Sequence, residues 1–139
     1  MTKQNLTFLS EVRNSTYYIL EEIQVFFFSF IGRPSPPQNL TPTNVTKSSA
    51  VLTWEKPESD GGSKVSGYVI EKADAARRVY AVVGETDAHT MTYTVDGLFE
   101  GSEYLFAVRA VNKLGESDQA ITEEPVKAKL PFGSQQVQV

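Results

Sequence analysis

Residues 102–112 read SEYLFAVRAVN, and no other stretch constrains the fold of this chain as tightly. Tyr104, Phe106, Val108 and Ala110 share one face of an extended strand, while Leu105, Ala107, Arg109 and Val111 share the other, because successive strand side chains point to opposite sides. A period of two sustained over such a length fits a strand and not a helix. Tyr104 heads the first face. A ring with a polar tip at the head of a buried face must set its hydroxyl against a partner, because an unpaired buried hydroxyl costs free energy.

From Pro36 onward, short β-type runs recur between turn residues at fairly even spacing, the pattern of an antiparallel sandwich. Seven strands are expected. The first, residues 38–45, carries Pro42, which cannot donate a ladder hydrogen bond and so belongs on an edge. The second, 49–55, turns Ala50, Leu52 and Trp54 to one face and stops at Lys56-Pro57. Asp60-Gly61-Gly62-Ser63 then reverses the chain, its glycines turning at little steric cost. The third strand, 65–72, points Tyr68 and Ile70 inward. A fourth, 77–83, ends at Gly84, and a fifth, 90–95, offers Tyr93 and Val95 to the core. The opening run is the sixth, and the seventh, 121–129, is interrupted by Pro125. No run asks for a helix.

The chain has 139 residues and 40% hydrophobic content, enough for one domain of about 100 residues and some extra sequence. The extra sequence lies mostly in front. Residues 1–33 are rich in aromatics and in Asn, Ser and Thr, show no clear period, and end at Arg33-Pro34-Ser35-Pro36-Pro37, an extended linker. This leader is expected to be unstructured or weakly helical, and a strand or helix donated to a partner is the alternative. It does not fit a signal peptide, because its apolar part starts late and contains Glu21, Glu22 and Gln24. Nor does it fit a membrane span, since only residues 25–31 form an apolar run and a span needs about 20 such residues. That run is apolar enough to aggregate if exposed. The expected domain is therefore 34–132, with 133–139 as a tail.

Composition removes several functions. The net charge of -4 comes from 13 basic and 17 acidic residues scattered in both signs, with no basic stripe to neutralise a phosphate backbone, so nucleic acid is not an expected partner. With no cysteine there is no disulfide, thiolate metal site or cysteine nucleophile. His89 is the only histidine and sits in a turn, which leaves no His-based metal cluster and poor material for a catalytic triad. Asp60-Gly61-Gly62-Ser63 lacks the glycine spacing and following helix of a phosphate loop and reads as a plain turn. No Gly-x-Ser-x-Gly occurs, nor any of the Gly-loop, His-Arg-Asp or Asp-Phe-Gly signatures of kinases. No enzyme activity, cofactor, metal or small-molecule substrate is expected. Arg77-Arg78 and Glu123-Glu124 read as solvated strand ends. Four Asn-x-Ser/Thr triplets, at Asn5, Asn14, Asn39 and Asn44, would matter only on a secretory route and read as accidental.

Trp54 in the second strand, Tyr68 in the third after Asp60-Gly61-Gly62-Ser63, then Gly97-Leu98, Gly101, Tyr104 and Asn112 closely resemble a fibronectin type III domain. The phrases DGGSKVSGYVIEK, GLFEGSEYLFAVRAVNKLGES and EPVKAKLPF are similar to modules of the titin, twitchin and projectin group of giant muscle proteins. Tyr80 stands where many of those modules carry a second tryptophan, and Glu55-Lys56-Pro57 where a Pro-Pro is common. The resemblance implies a seven-stranded β-sandwich with Trp54, Tyr68, Tyr93, Leu98, Tyr104, Phe106 and Val108 in its core. It also implies a tyrosine corner, in which the Tyr104 hydroxyl bonds back to backbone near Leu98 while Leu98 plugs the bottom of the core. In the family, a Pro-Phe stretch like Pro131-Phe132 leads into the next module, so the chain resembles a fragment. The implied function is an elastic spacer and docking surface in the cytoplasm of muscle, with thick-filament proteins or neighbouring immunoglobulin-like and fibronectin type III modules as partners. An extracellular adhesion or receptor module would share the fold and is the alternative, although no Arg-Gly-Asp loop is present.

Overall fold

A computed structural model describes residues 32–130. The expected leader, apart from Gly32 and Arg33, and the expected tail lie outside these residues. Every regular element among them is a strand: β1 (Gln38–Thr43), β2 (Ala50–Glu55), β3 (Gly67–Asp74), β4 (Ala81–Asp87), β5 (Thr92–Val95), β6 (Glu103–Asn112), β7 (Gly115–Glu116), β8 (Ala120–Ile121) and β9 (Val126–Lys127). They form two antiparallel sheets. The smaller has the order β1-β2-β5, and the larger has β4-β3-β6 with β7, β8 and β9 all along the far edge of β6. Those last three share one position, so the sandwich has the seven strand positions of the expected fold.

Alternation decides what lies between the sheets. In β2 the burial pattern is strictly two-fold, and Ala50, Leu52 and Trp54 face the larger sheet. From β3 come Tyr68 and Ile70, and from β6 come Tyr104, Phe106, Val108 and Ala110. Val95 of β5, Leu98 and Val126 close the margins of this core. Sheets packed face to face bury their inner faces in a layer about 10 Å thick, and the rings of Trp54, Tyr68, Tyr104 and Phe106 lie in that layer.

The first strand ends two residues earlier than expected, the third is moved two residues along, the fifth starts two residues later, and the fourth and seventh differ most from the sequence expectation. The fourth is shifted to Ala81–Asp87, with Gly84 inside it rather than at its end. Its turn is longer because the Asp74 carboxylate accepts hydrogen bonds from the Ala76 and Arg77 amides, and Arg78 adopts a positive φ of 58°. Gly84 is needed within the strand for a different reason. A Cβ built there would stand 2.2 Å from the Tyr93 hydroxyl oxygen, so a side chain would displace that ring. The seventh strand, expected as 121–129, is split into β8 and β9. Between them the Thr122 amide donates to the Phe106 carbonyl, and the Thr122 hydroxyl accepts from the Phe106 amide. Pro125, with no N–H, cannot continue the ladder.

Candidate functional site

The residues singled out from sequence fall into three places. Trp54, Tyr68, Leu98, Tyr104, Phe106 and Val108 are buried together in the central cluster. Trp54 and Tyr68 meet edge to face, with centroids 5.4 Å apart and planes at 63°, an arrangement aromatic quadrupoles favour. Burial pushes the Tyr68 phenol above its ordinary value, so it stays neutral. Among the described residues, the indole Nε1 of Trp54 is the buried side-chain polar atom with no hydrogen-bond partner. Tyr93 is only partly buried and packs against the margin of the cluster. Its hydroxyl donates to the Val83 carbonyl at 2.9 Å. Val83 is the extra residue of a β-bulge, between Val82, which pairs with Glu71, and Gly84, which pairs with Ile70. The bulge frees that carbonyl from the ladder.

At the opposite end of the core, the Tyr104 ring stacks near Phe106 with centroids 6.2 Å apart, and Lys72 Nζ lies 5.4 Å from its centroid. The Tyr104 hydroxyl accepts a hydrogen bond from the Phe99 amide at 2.9 Å, one residue beyond Leu98. The Leu98 amide donates to the Ser48 carbonyl, tying this loop to the start of β2. Phe99 itself is exposed.

Among the described residues no group of three or more His, Cys, Asp or Glu side chains could hold a metal, and no helix is long and apolar enough to cross a membrane. His89 is exposed in a turn where its amide donates to the Asp87 carboxylate. Hydrogen bonds from Thr90 and from the His89 amide hold the Asp87 carboxyl below its ordinary value. The Asp60–Ser63 turn is followed by β3 and no helix, and the Gly62 amide donates to the Asp60 carboxylate. Arg77, Arg78, Glu123 and Glu124 are exposed, as are Asn39 and Asn44.

The structure adds two constellations that the strand pattern alone does not reveal. Asn112 ties the top of the domain together. Its Nδ2 donates to the carbonyls of Gly32 (2.8 Å) and Asp60 (2.9 Å), and its Oδ1 accepts from the Leu114 and Gly115 amides. The incoming chain is thereby fastened at the C-terminal end of β6. The outgoing chain is fastened at the other end, where the Gly101 amide donates to Ala128 and the Ala128 amide donates to Ser102. The second constellation lies on the outer face of the larger sheet. Glu71 is buried there, and its Oε1 accepts from Arg109 Nε at 2.6 Å while its Oε2 accepts from Gln119. Arg109 also donates to the Ser117 carbonyl. Opposite charges at Glu71 and Arg109 are visible in sequence, but the β3–β6 register that brings them together is not.

Comparison with known proteins agrees with this geometry. The family model described as "Fibronectin type III domain" matches residues 35–124. The chain is 44% identical to titin of Drosophila melanogaster over 93 residues, 67% of this chain and 0% of titin to the nearest per cent. It is 35% identical to the fast-type myosin-binding protein C of Gallus gallus over 103 residues, 74% of this chain and 9% of that protein. The chain thus spans a small fraction of the curated relatives it matches. A crystal structure of titin domains superimposes with a TM-score of 0.65 at 37% identity, covering 70% of this chain and 32% of that one. The twitchin kinase region of Caenorhabditis elegans gives a TM-score of 0.65 at 32% identity, over 70% of this chain and 17% of that one. The family model covers more than half of the chain, and this chain belongs to the fibronectin type III domain family.

Proposed function

We propose that this chain is a structural and protein-binding module of a giant muscle filament protein, acting in the sarcomere as a spacer and as a docking surface. The observation that carries the reading is the placement of its two connections. The chain enters at the Asn112 end of β6 and leaves at the Glu103 end, roughly 30 Å apart at about 3.4 Å per residue. A link in a filament needs its attachments at opposite ends. Both β1 and the β7–β9 edge run from the first end toward the second, since β1 is antiparallel to β2 and the edge strands are antiparallel to β6. Tension on the connections therefore acts along the outermost strands, and many ladder bonds must give way together before the core is exposed. The muscle relatives, titin and myosin-binding protein C, support the filament setting.

Cosedimentation with reconstituted myosin filaments tests this reading. The chain is expected in the filament pellet in a saturable fashion. A chain that stays in the supernatant at all filament concentrations would count against thick-filament docking.

A further inference from the structure

We propose that the outer face of the larger sheet docks a basic segment of a partner protein that carries apolar side chains. The inference rests on the reading of the chain as a protein-binding module and names the surface and the chemistry it takes. Strand register places Val82, Glu71, Ala107 and Ile121 side by side in one row across β4, β3, β6 and β8. Next to this row, Ala73 pairs with Leu105. Val69, Ala73, Leu105 and Ala107 are all buried yet stand outside the core cluster between the sheets. The row beside them ends in two open apolar side chains, Val82 at 62% exposure and Ile121 at 44%.

The polar groups of the same face are unbalanced. Glu71 is already neutralised by Arg109. Glu85, Asp87, Glu103 and Glu116 share the face through their pairing with Val69, Gly67, Lys127 and Val111. None of them joins an ion pair among the described residues. Among the described residues, Lys127 is the one strand cation of the face besides Arg109. Two exposed apolar side chains, Val82 and Ile121, set among carboxylates without ion pairs complement cations alternating with apolar side chains, because complementary potentials select the partner and the apolar contact supplies affinity. The width suits an extended segment: the face is about 14 Å across between its outer strands, at roughly 4.8 Å per strand spacing. A second copy of this chain, with the same acidic face, would be repelled.

The probe is a short synthetic peptide alternating lysine and leucine, titrated into the isotope-labelled chain while amide shifts are followed by NMR. Shifts concentrated at Val82, Ala107 and Ile121, weakened by salt and absent with the glutamate–leucine counterpart, would support the proposal. The double variant Val82→Ser with Ile121→Ser should bind about tenfold more weakly or worse. Both side chains are exposed, so the variant keeps its fold, and a thermal melt followed by Trp54 fluorescence verifies it. Phe99→Ser, an exposed apolar change outside this face, should leave binding unchanged. Shifts mapping elsewhere, equal binding of the glutamate peptide, or unchanged affinity of the double variant would each overturn the proposal. If any of these occurs while the chain still cosediments with myosin filaments, the docking face is wrong and the module reading stands.

Discussion

On the inner face of β6, Tyr104, Phe106, Val108 and Ala110 belong to one cluster with Leu52, Trp54 and Val95 of the smaller sheet. On the outer face, Leu105 and Ala107 are nearly as buried, but they lie outside that cluster, beside the Glu71–Arg109 pair. The two faces of one strand are thus covered by different means. Inner burial joins two sheets, so removing a side chain there opens a cavity that neither sheet can fill. Outer burial takes in the Glu71–Arg109 pair, so a charge can be stranded there when its partner is removed.

Truncation of the inner face should have the largest effect. Trp54→Ala removes a ring packed against Tyr68 and should cost about 3 to 5 kcal/mol in a denaturant titration. A loss under about 1 kcal/mol would mean that the space closes, which a well-packed interior resists. On the outer face, Arg109→Met leaves the Glu71 carboxylate, 7% exposed, with Gln119 as its remaining side-chain partner. The expected loss is about 1.5 to 3 kcal/mol, the range for hydrogen bonds to charged groups. It should fall short of a fully buried pair because the Arg109 side chain keeps 29% exposure. Adding Glu71→Leu to that variant should restore most of the stability, since replacing both charges removes the stranded one. If the double variant is no more stable than the single one, the pair itself holds the face and the contrast between the faces disappears.

Alternation in sequence assigns residues to faces but does not say how each face is covered. Tyr104, Phe106 and Val108 could be placed because the period of two in β6 is long and unbroken. Leu105 and Ala107 look equally apolar in sequence, and only the structure shows that they are buried outside the core cluster. Gly84 misleads for a related reason. A glycine in a β-prone run reads as a stop, whereas here it makes room for Tyr93, which follows it nine residues later on another sheet. The β7 strand is too short to carry a period at all. Asn112 belongs to the family signature, yet its contacts to Gly32 and Asp60 span 80 and 52 residues of sequence, and no local pattern encodes them.

The smallest expected effect tests the polar tip of the inner face. Tyr104→Phe keeps the ring beside Phe106 and under Lys72 and removes only the oxygen that accepts from the Phe99 amide. The usual net worth of such a bond is about 0.5 to 1.5 kcal/mol. The cost should sit toward the low end, because Phe99 lies in an exposed loop where water can reach a released amide. Stability alone therefore separates this variant poorly from a silent one. Hydrogen exchange separates them: the Phe99 amide should lose protection far more than the Leu98 amide, whose bond to Ser48 is untouched. Equal loss at both amides would mean that the hydroxyl orders the whole loop. No change at Phe99 would mean that the hydroxyl is not its partner, and the inner face would then be held by packing alone.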